Sequence, residues 1–585
     1  MNLEQKIDQA DIISFDFFDT LFVRPLCDPE DAFDVLAKTL SIPNFRAMRR
    51  LAQKDAFQVM ISEQKKEITL RGIYECFPPC AYSVEELVQA EYDVELSLIY
   101  PNSQMIEFYH SAIDAGKAVI ITSDMYFSGR FFDEALTKHN VKSAPLFISA
   151  DANATKRDAG ELFDLIIQEF NAKPESILHI GDNKLADVTQ AESRGLKAHH
   201  YRNPRKTPAL ARHSLSASLA RGLIHLHEES IPENTCLEAG FFYGGPASVG
   251  FLQWIEKKAQ EDDLDHVLFL ARDGYLLNTL AEQHQDIQLP NFDYFLGSRT
   301  AFTLAAINEH NFTSYIPYFM SGAEGLSPFE ILERIGVPAP NQEVMNNLGL
   351  SDASQVDLRA TKNLQKFLYA YRWEILKVCR RNRQGLLNYL LSLGIRSGQK
   401  VALVDVGWSG STQEAFVNAL KGLMNIDVHG YYFCLANTPE KVAREKNLHM
   451  SALFSSATES QQVIDDIYKN RVTIEMFFSA PHDTIIGLEC QKDKIVAIED
   501  AGRGNTENTS GHITDIVNGG AFFAQQYARL LASLEIKANA KDLSWPIIDF
   551  AINSDWHNLP AFAEITNFDT WASTANRDTV ALDYT

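Results

Sequence analysis

Apolar residues along this chain follow two spacings that alternate. Residues 11–18 (DIISFDFF) form a short, almost continuous apolar run suited to a buried strand. From about 26 to 100 the spacing becomes helical. DPEDAFDVLAKTL, FRAMRRLAQKDAFQVMISEQ and SVEELVQAEYDVELSLIY keep apolar positions on one helical face, with Asp, Glu or Ser near their starts. After Pro101 the pattern predicts a helix over 103–115. Strands 117–122, 145–149, 176–180 and 196–201 follow, with helices 128–139, 158–170 and 184–194 between them. Such alternation predicts an α/β fold, a parallel sheet with helices on both faces, which binds ligands beyond the carboxyl ends of its strands.

The segment 206–238 reads as a linker with one helix, and a second alternating region begins at 239. It comprises helix 246–260, strand 266–270, helix 274–284, strand 292–296, strand 400–405, helix 412–422 and strand 427–434. A helical insert at about 308–395 interrupts it. From 441 to 585 the pattern weakens into an expected α/β extension, with a polar stretch at 501–513 and a helix at 520–534. The expected division is a core made of 1–24 and 101–205, a helical insertion at 25–100, the linker, a second Rossmann-like α/β domain at 239–440, and the extension.

Composition narrows the function. A chain of 585 residues exceeds one hydrophobic core. A net charge of −24 argues against a nucleic-acid backbone or an anionic membrane as main partner. The local basic group Arg202, Arg205 and Lys206 reads as solvated linker. No basic-then-apolar leader opens the sequence, and no apolar run reaches the roughly 20 residues of a membrane span. The seven cysteines are scattered, and the one close pair, Cys76 and Cys80, lacks a partner pair at zinc spacing. A cytoplasmic protein with free thiols is expected.

The candidate chemistry lies at predicted strand ends. Asp16 ends the first run, with Thr20 four residues on. Ser123 follows VIIT, Lys156 precedes a helix, and Asp182 and Asp187 follow ILHIG. Phosphoryl transfer needs an in-line nucleophile and neutralisation of the equatorial oxygens. Asp16 supplies a carboxylate nucleophile. Asp182 and Asp187 can face one cavity and hold Mg²⁺, which takes a few carboxylates and keeps several waters. Ser123 can donate to a phosphoryl oxygen, and Lys156 adds a point charge.

This set resembles the haloacid dehalogenase superfamily over roughly residues 8–201. Its four motifs map in order onto Asp16 to Thr20, Ser123, Lys156, and Gly181-Asp182 to Asp187, and 25–100 looks like its cap domain. The resemblance implies a Rossmann-like core and catalytic roles for Asp16, Asp19, Ser123 and Lys156. It further implies contact of Thr20 with substrate, and Mg²⁺ held at Asp16, Phe18, Asp182 and Asp187. The implied function is a phosphohydrolase that forms an aspartyl-phosphate on a phosphorylated small molecule, of the sugar-phosphate or nucleotide class. Phosphatases of the family carry a second aspartate two residues after the nucleophile, where this chain has Phe18. Three alternatives then stay open: Asp19, where many members have glycine, is a displaced acid/base, the leaving group needs little protonation, or the site binds a phosphate ligand and turns over poorly. An aromatic residue at that position also resembles the branch that displaces halide without metal, so a metal-independent hydrolase stays open.

In the second half, VLFLARDGYLL ends a strand in Arg272-Asp273-Gly274, and VALVDVGWSGSTQEAF runs from Asp405 through Gly407 to Gly410, Ser411 and Thr412. A small-residue loop feeding a helix presents N–H groups to an anion. The latter segment is similar to the ribose-phosphate loop of phosphoribosyltransferases, with one acid where that family has two. The expectation is a site for a phosphorylated or nucleotide-linked ligand, with Arg272 and Arg299 as an anion clamp. His482-Asp483 reads as a surface turn. Behind its front, the whole pattern resembles large bacterial hydrolases of the dehalogenase type.

Overall fold

The computed structural model describes residues 2–202, 214–284, 287–323, 326–350, 361–492, 494–500, 507–553, 557 and 559–565. Arg205, Lys206 and the first part of the polar stretch, 501–506, lie outside the described residues. The chain divides into two compact units, Met1–Ser230 with Arg529–Lys537, and Ile231–Ala528 with Ala538–Thr585.

The first unit is built on a five-stranded sheet of β1 (Ile12–Phe15), β2 (Ala118–Ser123), β3 (Leu146–Ile148), β4 (Ile177–Gly181) and β5 (Lys197–His200). Its order is β3-β2-β1-β4-β5 and every pair is parallel. β1 and β4 are buried along their whole lengths, which explains their near-continuous apolar sequences. Two polar residues interrupt these runs, Ser14 and His179, and the register sets them side by side. Because the strand order reverses beside β1, its carboxyl end and that of β4 open a crevice, the usual ligand position in such sheets.

Between β1 and β2 the chain folds into helices α1 (Asp31–Thr39), α2 (Phe45–Ser62), α3 (Leu70–Glu75) and α4 (Val84–Ser97). Ser83 caps α4 in a capping box with Glu86. This layer is tied together by charge as well as by packing. Arg49 on α2 holds Glu91 on α4 with two hydrogen bonds of 2.7 and 2.8 Å, and both side chains are fully buried. The Arg49 guanidinium also lies 4.9 Å from the Phe33 ring and 5.2 Å from Tyr126, which belongs to the loop after β2. Arg157 grips Glu67 with two hydrogen bonds of 2.6 and 2.8 Å. Within the segment expected as a linker, helix α5 (Leu215–His227) carries ten buried residues. It packs on this layer, with Ser218 bonded to Asp31 and Gly222 pressed against the Pro25 backbone, where an added Cβ would lie 2.0 Å from the Pro25 carbonyl carbon.

The second unit has its own parallel sheet of β6 (His266–Leu270), β7 (Asn291–Phe295), β8 (Lys400–Asp405), β9 (Asp427–Cys434) and β10 (His449–Phe454), in the order β10-β9-β8-β6-β7. Here the order reverses between β6 and β8. β10 continues the sheet past residue 440, and an antiparallel hairpin, Ile485–Gln491 with Lys494–Glu499, follows. Helix α6 (Glu507–Leu534) starts inside the stretch expected to be polar and irregular, because Ile513, Ile516 and Val517 bury against the second unit's core. Residues between 304 and 379 form a separate apolar cluster around Phe319, Leu332 and Phe367. Among the described residues, no helix is long and apolar enough to cross a membrane.

Candidate active site

The first crevice gathers the chain's four distant motif segments. Asp16 leaves β1 with its N–H bonded to the Ile180 carbonyl at 2.8 Å. Lys156, arriving on the loop before a helix, donates from Nζ to Asp16 Oδ1 and Asp187 Oδ1, each at 2.6 Å, and to the Thr122 carbonyl at 3.1 Å. Lys156, Asp16 and Asp187 are all buried. Carboxylate oxygens of Asp16, Asp182 and Asp187 lie within 4.8 Å of one another.

Local sequence explains how Asp187 returns to the site. Asn183 accepts from the N–H groups of Leu185 and Ala186 and starts a π-helical turn, Lys184–Thr189. The wider turn swings Asp187 back so that its Oδ2 accepts the Asn183 N–H at 2.8 Å. The side chain then lies across Gly181, where an added Cβ would stand 2.4 Å from Asp187 Cγ. Only glycine leaves that space.

Ser123 points into the cavity. Thr122, the residue before it on the strand, faces the sheet interior and bonds Ser14 at 2.8 Å. Thr20 donates to Asp16 Oδ2 at 3.4 Å. Asp19 also lines the cavity, with φ +56°, a left-handed conformation that aspartate tolerates and glycine adopts freely. Phe18 lines it too, and its ring carries the Arg24 guanidinium 4.4 Å above. As a metal ligand, Phe18 can offer only its main-chain carbonyl.

Sequence reasoning overlooked four residues here. Asp124 accepts the backbone N–H groups of Lys156 and Arg157 and so fixes the loop that carries the lysine. Arg24 and Glu95 line the outer part of the cavity as an ion pair of 2.8 Å. His179 bonds Asp187 Oδ1 through Nε2 at 3.1 Å and Ser14 through Nδ1 at 2.8 Å. A polar residue inside an apolar strand run was the signal available for His179.

The electrostatics are those of a site short of positive charge. Burial pushes Asp16 well above its ordinary range, and Asp187 and Asp182 push it further against the pull of Lys156. Burial opposes the charge on Lys156, but Asp16 and Asp187 more than offset it and hold the ammonium protonated. Burial likewise works against Asp187, but Lys156 and His179 keep it well below the carboxylate range. Burial, then Asp19 and Asp187, push Asp182 up to about 6. Burial keeps His179 neutral. Ionised together, the three carboxylates would exceed the one ammonium by two charges, and hard oxygen donors of that charge suit one divalent cation. The residues present therefore fit Mg²⁺.

The second unit's expected residues are brought together only in part. Val406 N–H bonds Asp273 Oδ2 at 3.2 Å, and the Asp405 carboxyl bonds both Asp273 and Thr412. Burial, reinforced by Asp273 and Glu475, pushes Asp405 far up. Glu475 also accepts the Trp408 indole N–H. Gly410, at φ +73°, precedes the helix Ser411–Leu420, but an added Cβ there would meet Met450 at 2.4 Å. Arg272 turns to Thr484, to which it donates at 2.8 Å, and Arg299 is exposed at the start of its helix. Carboxyls therefore gather where the sequence placed a phosphate. His482 is no plain surface turn either: its ring is half-buried and bonds the Tyr294 hydroxyl at 2.5 Å.

No protein-family model matches the chain, and no curated protein matches it. Among solved structures, an L-2-haloacid dehalogenase from Xanthobacter autotrophicus is similar at 15% identity and a TM-score of 0.26, over 34% of this chain and 79% of that one. A HAD hydrolase from Bacillus subtilis, bound to magnesium, is similar at 15% identity and a TM-score of 0.27, over 34% and 91%. A hydrolase from Streptococcus pneumoniae TIGR4 has 15% identity and a TM-score of 0.21, over 33% and 94%. Four motifs in the superfamily's order, converging at the carboxyl ends of one parallel β3-β2-β1-β4-β5 sheet, give the first third of this chain the haloacid dehalogenase core fold.

Proposed function

We propose that the first unit is a Mg²⁺-dependent phosphohydrolase acting on a phosphorylated small molecule of the sugar-phosphate or nucleotide class. What carries this reading is the charge of the crevice: three converging carboxylates around a single lysine, a surplus that one divalent cation balances. Asp16, Asp182, Asp187 and the Phe18 carbonyl would hold the ion. When bound, Mg²⁺ supplies charge neutralisation for the phosphoryl oxygens.

The chain's own groups do the rest. Lys156 fixes one oxygen of Asp16, which leaves Oδ2 to attack phosphorus. The bond from phosphorus to the leaving oxygen breaks as the bond to Asp16 forms, and Ser123 and Lys156 bond the equatorial oxygens. Asp19 gives the leaving oxygen its proton. It then takes a proton from the water that attacks the phosphoaspartate, which releases phosphate and restores Asp16. The cavity, of about 440 Å³, is of a size for a small metabolite.

The competing reading, halide displacement without metal, draws on Phe18 and the aromatic residues behind it, Phe17, Phe131 and Phe132. One panel decides between them, measuring phosphate and halide release from phosphate monoesters and 2-haloacids with Mg²⁺ and with chelator. Phosphate release that needs Mg²⁺ and vanishes in Asp16→Asn is expected. Halide release that survives chelation would end the phosphohydrolase reading.

A further inference from the structure

The same cavity is also lined by side chains that the phosphoryl chemistry leaves unused. Arg24 is nine-tenths buried and lines the cavity. Its Nε donates to Glu95 Oε2 at 2.8 Å, while among the described residues neither Nη donates a hydrogen bond. Phe18 covers one face of the guanidinium, so those Nη groups have only the cavity edge to serve. Glu95, on α4, is 2% exposed and also lines the cavity; its Oε1 accepts nothing among the described residues. Gln53, on α2, accepts an Arg49 hydrogen bond at 2.9 Å through Oε1, which directs its two amide N–H donors elsewhere. It too lines the cavity.

Arg24 and Gln53 thus bring donors to the cavity, and Glu95 brings an acceptor. A carboxylate or second phosphate could use the donors but would meet Glu95 Oε1, and the Arg24 charge is already balanced by Glu95. An apolar or aryl group would leave all of them unpaired, at a cost that strongly discriminates against it. A hydroxyl both donates and accepts, so neighbouring hydroxyls satisfy the whole edge. Phe33 and Tyr126 supply the apolar wall that suits the C–H face of such a molecule.

We infer that Arg24, Glu95 and Gln53 form a hydroxyl-reading subsite, and that the substrate is a small phosphorylated polyol or sugar whose hydroxyls lie opposite the phosphoryl group. This inference rests on the phosphohydrolase reading for its phosphoryl end, but binding alone can test it. Isothermal titration of the Asp16→Asn protein with Mg²⁺ would compare a hexitol phosphate, phosphoglycolate, phenyl phosphate and inorganic phosphate. The hexitol phosphate is expected to bind at least about tenfold tighter than the other three, the scale of a few satisfied polar contacts. Adding Glu95→Gln should erase that preference. Adding Gln53→Leu, which leaves the Arg24–Glu95 ion pair intact and so guards against misfolding, should reduce it several-fold. In the active protein the same substitutions should lower the kcat/KM ratio of hexitol phosphate over phenyl phosphate.

Equal affinities, or tighter binding of phosphoglycolate, would overturn the subsite even if phosphate is released. If the active protein releases no phosphate but Asp16→Asn still prefers the hexitol phosphate in a Glu95-dependent way, the subsite stands and the hydrolytic reading falls.

Discussion

The two units place acidic residues at the same topological point, a crevice where strand order reverses, yet they neutralise them differently. In the first, Lys156 stands between Asp16 and Asp187, and the carboxylates that remain make room for a cation. In the second, no lysine or arginine pairs with Asp405 or Asp273 among the described residues, and burial, with Asp273 beside it, pushes Asp405 far up. Burial raises an acid in both crevices, but only the first answers its acids with a buried ammonium. Similar sheets and similar strand-end acids thus do not make similar sites. The difference lies in one cation delivered from another loop.

The comparison breaks most severely at Asp16. If the charged crevice is the reacting one, Asp16→Asn should lower metal-dependent phosphate release by about 10⁴-fold, the scale on which nucleophiles fail when removed. Steady-state kinetics with Mg²⁺ in excess would show it. A loss of less than tenfold would mean that the oxygen attacking phosphorus is not on Asp16.

Lys156→Met tests the counter-charge itself. It removes the ammonium from two buried carboxylates and should cost about 3–5 kcal/mol in chemical denaturation, as for other broken buried pairs. Added Mg²⁺ should recover part of that loss, because the ion binds the folded carboxylates only. Failure of Mg²⁺ to raise the midpoint would show that the three carboxylates do not form a cation site.

Much of the first crevice was legible because its residues announce themselves locally. Asp16, Ser123 and Asp182 each end an apolar strand run, and Gly181 precedes an aspartate that must fold across it. Arg24, Glu95 and Gln53 were not legible, because they sit on separate segments of an insertion whose helical spacing reports packing and says nothing of which polar residue turns inward. In the second crevice the acidic partners of Asp405 were hidden for a related reason. A small-residue loop before a helix implies an anion only when no carboxyl arrives from elsewhere, and Asp273 and Glu475 arrive from β6's following loop and a helix about 70 residues downstream of Asp405. The hairpin and β10 beyond 440 were missed because their strands are partly exposed and show neither a continuous apolar run nor a clean alternation.

Asp405→Asn sharpens the side that lacks a cation. Asp405 has a raised pKa in the folded protein, so the stability it contributes is complete below the ordinary carboxylate range and is lost as pH rises through the raised value. Asparagine keeps the shape and an N–H donor toward Asp273 and never ionises. The melting temperature of the variant should therefore gain on wild type as pH increases from 5 to 9, by an amount equivalent to about 1–2 kcal/mol. A difference that does not change with pH would show that Asp405 is ionised throughout, and the contrast between the crevices would disappear.

The smallest effect expected is at Ser14, and it follows from a chain of protons with one possible direction. Asp187 is ionised and can only accept, so the proton on neutral His179 sits on Nε2. Nδ1 is then an acceptor, Ser14 must donate to it, and Thr122 must donate to Ser14. Ser14→Ala removes the donor to Nδ1 without disturbing the proton aimed at Asp187. It should cost about 1 kcal/mol in unfolding free energy and weaken Mn²⁺ binding no more than a few-fold. His179→Leu, which takes away the Asp187 donor itself, should weaken Mn²⁺ binding further, about tenfold, as outer partners of metal ligands do. Equal effects from the two substitutions would mean that the ring is held by packing alone, and that Lys156 by itself keeps Asp187 in place.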